Sequence, residues 1–373
     1  MRFPIPDNIE TLRPYVPGKP LGEVQREYGL SEVVKLASNE NPLGPSPRAL
    51  AAMQSAMGDL SLYPDASCFE LKRALAEKHG VTPAEIVVGN GSEQLISLLV
   101  NTFVAPGDEA LIARGSFITY SLAIAAAGRR AVEVPLRDWR YDLPAMARAI
   151  TERTRLVFIA NPDNPSGTIV TESELLAFLE EVREKHPALL VVMDEAYVDY
   201  VESPLYPDTL ALRAIHPNLV ALRTFSKSLG LAGVRVGYAI LDAWLAGYVE
   251  RVRLPFNVSS LAQAAALGAL GDVEHLEATR ALNRTEKPFV LRGLRALDVT
   301  VVEPVEGNFA LVDTHRPGRE VFEALLRRGV IARPLLNYGM PTALRVTFGL
   351  REQNERLLAA LADVLAAVPR VKN

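Results

Sequence analysis

The chain has 373 residues, 49% of them hydrophobic, and a formal charge of −4 with acidic and basic residues interspersed. That length and composition can bury a sizeable core and exceed one typical domain, which predicts two lobes, while the absence of a basic tract argues against a nucleic-acid backbone or an anionic membrane as partner; any anion must be held by individually placed arginines. A single cysteine, Cys68, excludes an intramolecular disulfide and any multi-cysteine metal site, the start MRFPIPDNIE lacks the apolar segment of a secretory signal, and no apolar run approaches the roughly twenty residues that span a bilayer. Together these features predict a cytoplasmic protein.

In chain order, proline and glycine punctuate the first residues, which read as an N-terminal arm. From about residue 46, helical patterns alternate with short apolar runs at 85–88, 109–113, 131–134, 156–160, 189–193, 219–222 and 236–240. Such alternation predicts a mostly parallel sheet covered by helices. After about residue 260 come a long helical stretch, apolar runs at 301–302 and 309–312, a helix at 320–328, a run at 344–348 and a final helix from about Arg351. These predict a smaller α+β lobe. The expected division is an arm at 1–45 belonging with the small lobe, a large domain at 46–260, and a small C-terminal domain at 261–373.

Parallel sheets place ligand-binding residues at the carboxyl ends of their strands, and four loops there invite inspection. Gly91-Ser92-Glu93 opens a helical run just after an apolar strand, so its backbone N–H groups suit a phosphate; by itself the signal is weak and the loop reads first as an ordinary turn with Ser92 as helix cap. Asn161-Pro162-Asp163-Asn164-Pro165-Ser166-Gly167 is a rigid turn. Asp194 emerges after five apolar residues, partly desolvated and in need of a cationic partner, with Tyr197 three residues on. The fourth loop, TFSKSLGLAGVR, supplies Lys227 and Arg235. His79, His186, His216, His275 and His315 are scattered without metal-ligand spacing, and no metal is expected.

Together these loops resemble those of the fold-type I, pyridoxal-phosphate-dependent aminotransferases of class I/II, especially the histidinol-phosphate aminotransferase branch. The patterns KLASNENPLGPSP, LYPD, GNGSEQ, NPDNPSG, DEAY, TFSKSLGLAGVRVGY and LRVTFG occur in the family's order and cover nearly the whole chain. The resemblance implies a mostly parallel seven-stranded sheet with flanking helices in a large domain, plus a smaller α+β domain. It implies that Lys227 forms the internal Schiff base with pyridoxal 5′-phosphate, and that Asp194 is the counter-ion of the ring nitrogen. Asn164 and Tyr197 would bond the ring's phenolic oxygen. Phe117 would stack on the ring, where many relatives have tyrosine.

By the same resemblance, Gly91, Ser92, Glu93, Thr224, Ser226 and Arg235 would hold the cofactor phosphate, joined across a homodimer interface by Tyr63 of the other subunit. Arg345 would hold the carboxylate of glutamate and, with Arg333 and Tyr15, the phosphate of the other substrate. From its sequence setting alone, Arg333 reads as readily as a surface ion pair. The implied reaction is amino transfer between L-histidinol phosphate and 2-oxoglutarate, giving imidazole acetol phosphate and L-glutamate. An aromatic amino-acid aminotransferase and a decarboxylase of threonine phosphate share the motifs and stay open as alternatives. A cofactor-sensing regulator is disfavoured, since no DNA-binding pattern precedes the arm.

Overall fold

The computed structural model describes residues 3–14 and 17–371. A short strand β1 (Val34–Lys35) is followed by β2 (Ile86–Gly89), β3 (Glu109–Arg114), β4 (Arg130–Pro135), β5 (Thr154–Ala160), β6 (Leu190–Asp194), β7 (Leu219–Thr224) and β8 (Gly237–Ile240). Strands β2 to β8 form a seven-stranded sheet in the order β2-β8-β7-β6-β5-β3-β4. Each of the seven apolar runs is a strand of this sheet. Neighbours from β7 across to β4 run parallel, whereas β8 is antiparallel to both β2 and β7.

The strands are apolar on both faces because both are covered. Leu156, Phe158, Val192 and Val220 pack on one side with Leu95, Leu99 and Ile124 of the helices Gly91–Phe103 and Thr119–Ala126. Val157, Ile159, Val191 and Met193 pack on the other with Leu175, Leu179 and Val182 of the helix Glu172–Lys185, whose start is fixed by a Thr171–Glu174 capping box. Alternation of side chains along a strand thus sends successive apolar residues into two separate layers.

The small lobe contains β9 (Thr300–Val301), β10 (Phe309–Asp313), β11 (Val330–Ile331), β12 (Arg333–Pro334) and β13 (Ala343–Thr347). Four of these form an antiparallel sheet in the order β12-β13-β10-β9. The arm joins this lobe through parallel pairing of β1 with β11 and through Leu36, which packs with Val290, Val346 and Leu361.

The helix Ser260–Leu270 lies beyond the boundary expected at residue 260, yet its Ala262, Ala265, Ala266 and Ala269 pack with Leu71, Ile86 and Ile240 of the large lobe. Its approach to the helix Pro47–Ala56 is close: a Cβ on Gly268 would lie 2.6 Å from the Arg48 carbonyl oxygen. The next helix, Val273–Arg295, places Leu276 in that same cluster and Val290 and Leu294 in the small lobe's core. We therefore propose that the lobes divide inside the helix Val273–Arg295.

The arm also crosses the large lobe beside the Lys227 loop. Gly230 has φ +69°, and a Cβ there would lie 2.1 Å from the Gly44 carbonyl oxygen. Gly230→Ala is expected to cost about 2–4 kcal/mol, from left-handed backbone strain plus overpacking, measured as a lower urea midpoint. An unchanged midpoint would contradict this crossing.

Candidate active site

Strands β3, β5, β6 and β7 end around a cavity of about 270 Å³ between the lobes. Ser92, Glu93, Phe117, Asn164, Asp194, Tyr197, Thr224, Ser226, Lys227, Arg235, Arg333 and Arg345 all line it. Gly91 lies directly behind Arg235. Tyr63 is outside the cavity, 82% exposed and stacked on Phe256 with ring centroids 4.7 Å apart. Tyr15 lies outside the described residues.

Asp194 is the last residue of β6 and pairs in register with Ala160 on one side and Leu222 on the other. The next carboxylate, Glu195, is also buried and meets Arg223 at 2.8 Å. That cation is thereby committed, and among the described residues Asp194 takes part in no ion pair. Its Oδ2 accepts a hydrogen bond from the Tyr120 hydroxyl at 2.8 Å, and its Oδ1 accepts one from the Ala196 N–H at 3.3 Å. Burial pushes the Asp194 pKa up to about 6, against the opposing effect of the Tyr120 bond. The site therefore has a carboxylate that a cationic ring nitrogen would complete.

Lys227 shows the complementary imbalance. Its Nζ donates to the Ser38 carbonyl at 2.9 Å and lies 5.7 Å from the Tyr197 ring centre. Burial, followed by the nearby Arg345 charge, lowers its pKa to about 7. The amine thus exchanges a proton near neutrality, as a nucleophile and general base must.

Arg345 is buried. Its Nη1 donates to Asn164 Oδ1 and its Nη2 to the Ala37 carbonyl, while its Nε is buried and has no protein partner among the described residues. On the adjacent strand Arg333 stands directly opposite it in register and is also buried. Like charges facing each other across a ladder are unfavourable unless an anion lies between or beside them. Arg333 thus lines the cavity and is buried, and does not lie at the surface.

A second anion cradle lies at the start of the helix Gly91–Phe103. Arg235 has φ +59°, and its Nη1 reaches Ser226 Oγ at 3.4 Å and the Ala232 carbonyl at 3.2 Å. A Cβ on Gly91 would lie 2.4 Å from Arg235 Nη2, and one on Gly237 would lie 2.6 Å from the Ser92 nitrogen. The two glycines admit the guanidinium and the helix start to the same small space. Thr224 and Ser226, linked by a 3.0 Å hydroxyl bond, complete its rim. Helix dipole, first-turn N–H groups and an arginine fork together suit a phosphate.

Two residues at the site escaped the sequence reading. Tyr120 lines the cavity, holds Asp194 and packs face to face on Phe158, with centroids 4.7 Å apart and planes at 9°. Its signal was the Phe117–Tyr120 spacing, two aromatics flanking the start of the helix Thr119–Ala126; their rings meet edge to face at 5.4 Å. Asn39 donates from Nδ2 to the Tyr197 hydroxyl at 2.9 Å and is itself fixed by Thr347. With its oxygen receiving that bond, Tyr197 retains its own proton for donation, and burial pushes its pKa up to about 12 although Arg345 opposes the rise.

Residues 31–361 match the family "Aminotransferase class I and II". Over 365 residues the chain is 54% identical to the histidinol-phosphate aminotransferase of Anaeromyxobacter sp. (strain Fw109-5), covering 97% of this chain and 99% of that protein. It is 49% identical to the histidinol-phosphate aminotransferase of Moorella thermoacetica, covering 96% and 92% respectively. The crystal structure of histidinol-phosphate aminotransferase from Sinorhizobium meliloti in complex with pyridoxal-5′-phosphate superposes with a TM-score of 0.88 at 29% identity, over 97% of this chain and 98% of that one. With this match along nearly all its length and the same arrangement of lobes, the chain belongs to the class I and II aminotransferases and has their type I fold.

Proposed function

We propose that this aminotransferase exchanges the amino group between L-histidinol phosphate and 2-oxoglutarate, giving imidazole acetol phosphate and L-glutamate, with pyridoxal 5′-phosphate as cofactor. The observation that carries the substrate class is the buried Arg333–Arg345 pair, opposed in register and lining one cavity. Two guanidiniums at one end of the site suit a dianionic phosphate better than a lone carboxylate. The naming of relatives at up to 54% identity favours this reaction over aromatic amino-acid transamination or threonine-phosphate decarboxylation.

The residues present fit the cofactor. The Arg235 cradle would take its phosphate, Phe117 one face of its ring, Asp194 its ring nitrogen, and Asn164 and Tyr197 its ring oxygen. When bound, pyridoxal phosphate supplies an electron-withdrawing ring that stabilises negative charge at the substrate's α-carbon. The protein's part is to bind and orient. Asp194, held by Tyr120, keeps the ring nitrogen protonated; Arg345 and Arg333 fix the far anionic end of the substrate; and Lys227 moves the proton at the α-carbon. A lysine with a pKa near 7 is well matched to both halves of that transfer.

Tyr63 belongs to the proposal as a contribution to the partner's cofactor phosphate in a homodimer. Supporting this, Tyr63, its chain neighbours Leu60 and Leu62, and Phe256, on which it stacks, are all exposed apolar side chains. Exposed apolar area on that scale marks an interaction surface. A cytoplasmic location is part of the same reading; among the described residues no helix is long and apolar enough to cross a membrane.

The reaction is tested by a substrate panel read as loss of bound-cofactor absorbance and its recovery with 2-oxoglutarate. Histidinol phosphate should be preferred over phenylalanine, tyrosine and threonine phosphate; preference for any of these, or release of carbon dioxide, would refute the assignment. Arg345→Ala should depress kcat/KM for glutamate and histidinol phosphate alike. Arg333→Ala should lower it by about 10- to 100-fold for histidinol phosphate and little for glutamate. Equal effects on the two substrates would remove Arg333 from phosphate recognition.

The dimer reading makes a separate prediction, given a Tyr63→Ala variant shown to be impaired alone. Refolding it together with Lys227→Ala should leave about half the molecules mixed, with about a quarter of all sites intact and activity restored accordingly. Activity no higher than the mean of the two parents would confine Tyr63 to its own subunit.

A further inference from the structure

Strands β3 and β5 pair only from Glu109↔Thr154 to Leu111↔Val157. Beyond that point β3 stays with β4 as far as Arg114↔Pro135, and β5 stays with β6 as far as Ala160↔Asp194. The chain leaves β3 toward one edge of the sheet and leaves β5 toward the other, so the gap is the sheet's topological switch point, where α/β proteins bind ligands. Two walls of the cavity rise from its sides. Phe117 follows β3, and Asn164 follows β5.

No backbone ladder holds these walls together, but a chain of hydrogen bonds does. The Ala160 N–H donates to the Tyr141 hydroxyl at 2.9 Å, Tyr141 and Ser116 hydroxyls lie 2.7 Å apart, and Ser116 Oγ lies 2.5 Å from Asp163 Oδ1. Ionised Asp163 can only accept, so the single Ser116 proton goes to it. Ser116 then receives the Tyr141 proton, and Tyr141 receives the Ala160 N–H. Every dipole points at the carboxylate, an arrangement that reinforces itself in a buried setting. Asp163 is fully buried and, among the described residues, takes part in no ion pair. Burial pushes its pKa up, and its bonds from Ser116 and Ser166 hold it back.

The two carboxylate oxygens have different tasks. Oδ2 accepts from Ser166 Oγ at 2.7 Å and Ser166 N–H at 3.2 Å, which closes the local turn. Oδ1 reaches a serine 47 residues away, a bond that turn closure does not require. Ser116 directly precedes Phe117, and Asp163 directly precedes Asn164. We propose that Asp163 is a positioning residue: through Ser116 and Tyr141 it spans the switch-point gap and fixes the spacing of the Phe117 and Asn164 walls between which the cofactor ring is held. This inference rests on the cofactor reading above.

Ser116→Ala isolates the claim, because it removes the long-range bond and leaves the turn intact. The measurements are the dissociation constant of pyridoxal phosphate, kcat and KM for histidinol phosphate, and Tm of the cofactor-free protein. Ser116→Ala should weaken cofactor binding about tenfold, the usual worth of a bond to a buried charge, and lower kcat more than it raises KM. Ser116→Thr, which keeps the hydroxyl, should restore both. Asp163→Asn, which also replaces an acceptor in the local turn, should be at least as damaging as Ser116→Ala, and the double variant should be no worse than Asp163→Asn alone, because both changes break one chain. A Ser116→Ala protein with wild-type cofactor affinity and kcat overturns the proposal, whether or not its Tm falls. Failure of the wild-type protein to bind pyridoxal phosphate overturns the functional reading instead, and this inference with it.

Discussion

The structure turns on charges buried around one cavity without counter-ions among the described residues. Asp194, Lys227 and Arg345 all face one cavity, and among the described residues none of them takes part in an ion pair. Leaving charges unpaired in a low-dielectric space costs stability, and the cost appears as the upward shift at Asp194 and the downward shift at Lys227. A fold keeps such groups apart only if the surrounding backbone prevents them from collapsing onto one another. Pairing of β6 on both sides, and the commitment of Arg223 to Glu195, provide that constraint for Asp194.

The same device recurs around the cavity: a residue facing it is flanked in the chain by a neighbour bound into the scaffold. Lys227 is followed by Ser228, whose hydroxyl donates to Asp199 and whose carbonyl accepts from Asn41 at 2.9 Å. Asp199 in turn accepts from Arg280 on the helix Val273–Arg295, which links the two lobes. Asp194 is followed by Glu195, paired with Arg223. At Asp194 the end of strand β6 makes this possible, since consecutive strand residues point to opposite sides, whereas Lys227 and Ser228 are parted by the turn that follows β7.

Much of this was legible in the sequence. Strands covered on both faces read as unbroken apolar runs, and the residues that meet the cavity stand at their carboxyl ends in motifs rich in turn formers. What escaped had no local pattern. The reversal of β8 leaves no trace in hydropathy. The onset of a long helical stretch near residue 260 suggests a lobe boundary there, while the alanines of the helix Ser260–Leu270 signal close helix packing without naming the partner helix. Strands as short as β11 and β12 carry no periodicity, so the opposition of Arg333 to Arg345 emerges only from their pairing with longer neighbours. Tyr120 and Asn39 act through residues distant in sequence and look like ordinary helix and loop positions until Asp194 and Tyr197 are seen beside them.

The central claim, that the cavity holds ionisable groups away from their ordinary equilibria, is tested most directly at Lys227. In cofactor-free protein, its rate of acylation by a small reagent, followed by mass spectrometry at that residue across pH, reports the neutral fraction of the amine. Burial and the Arg345 charge predict a midpoint near 7. A midpoint near the ordinary lysine value of 10.5 would contradict the account.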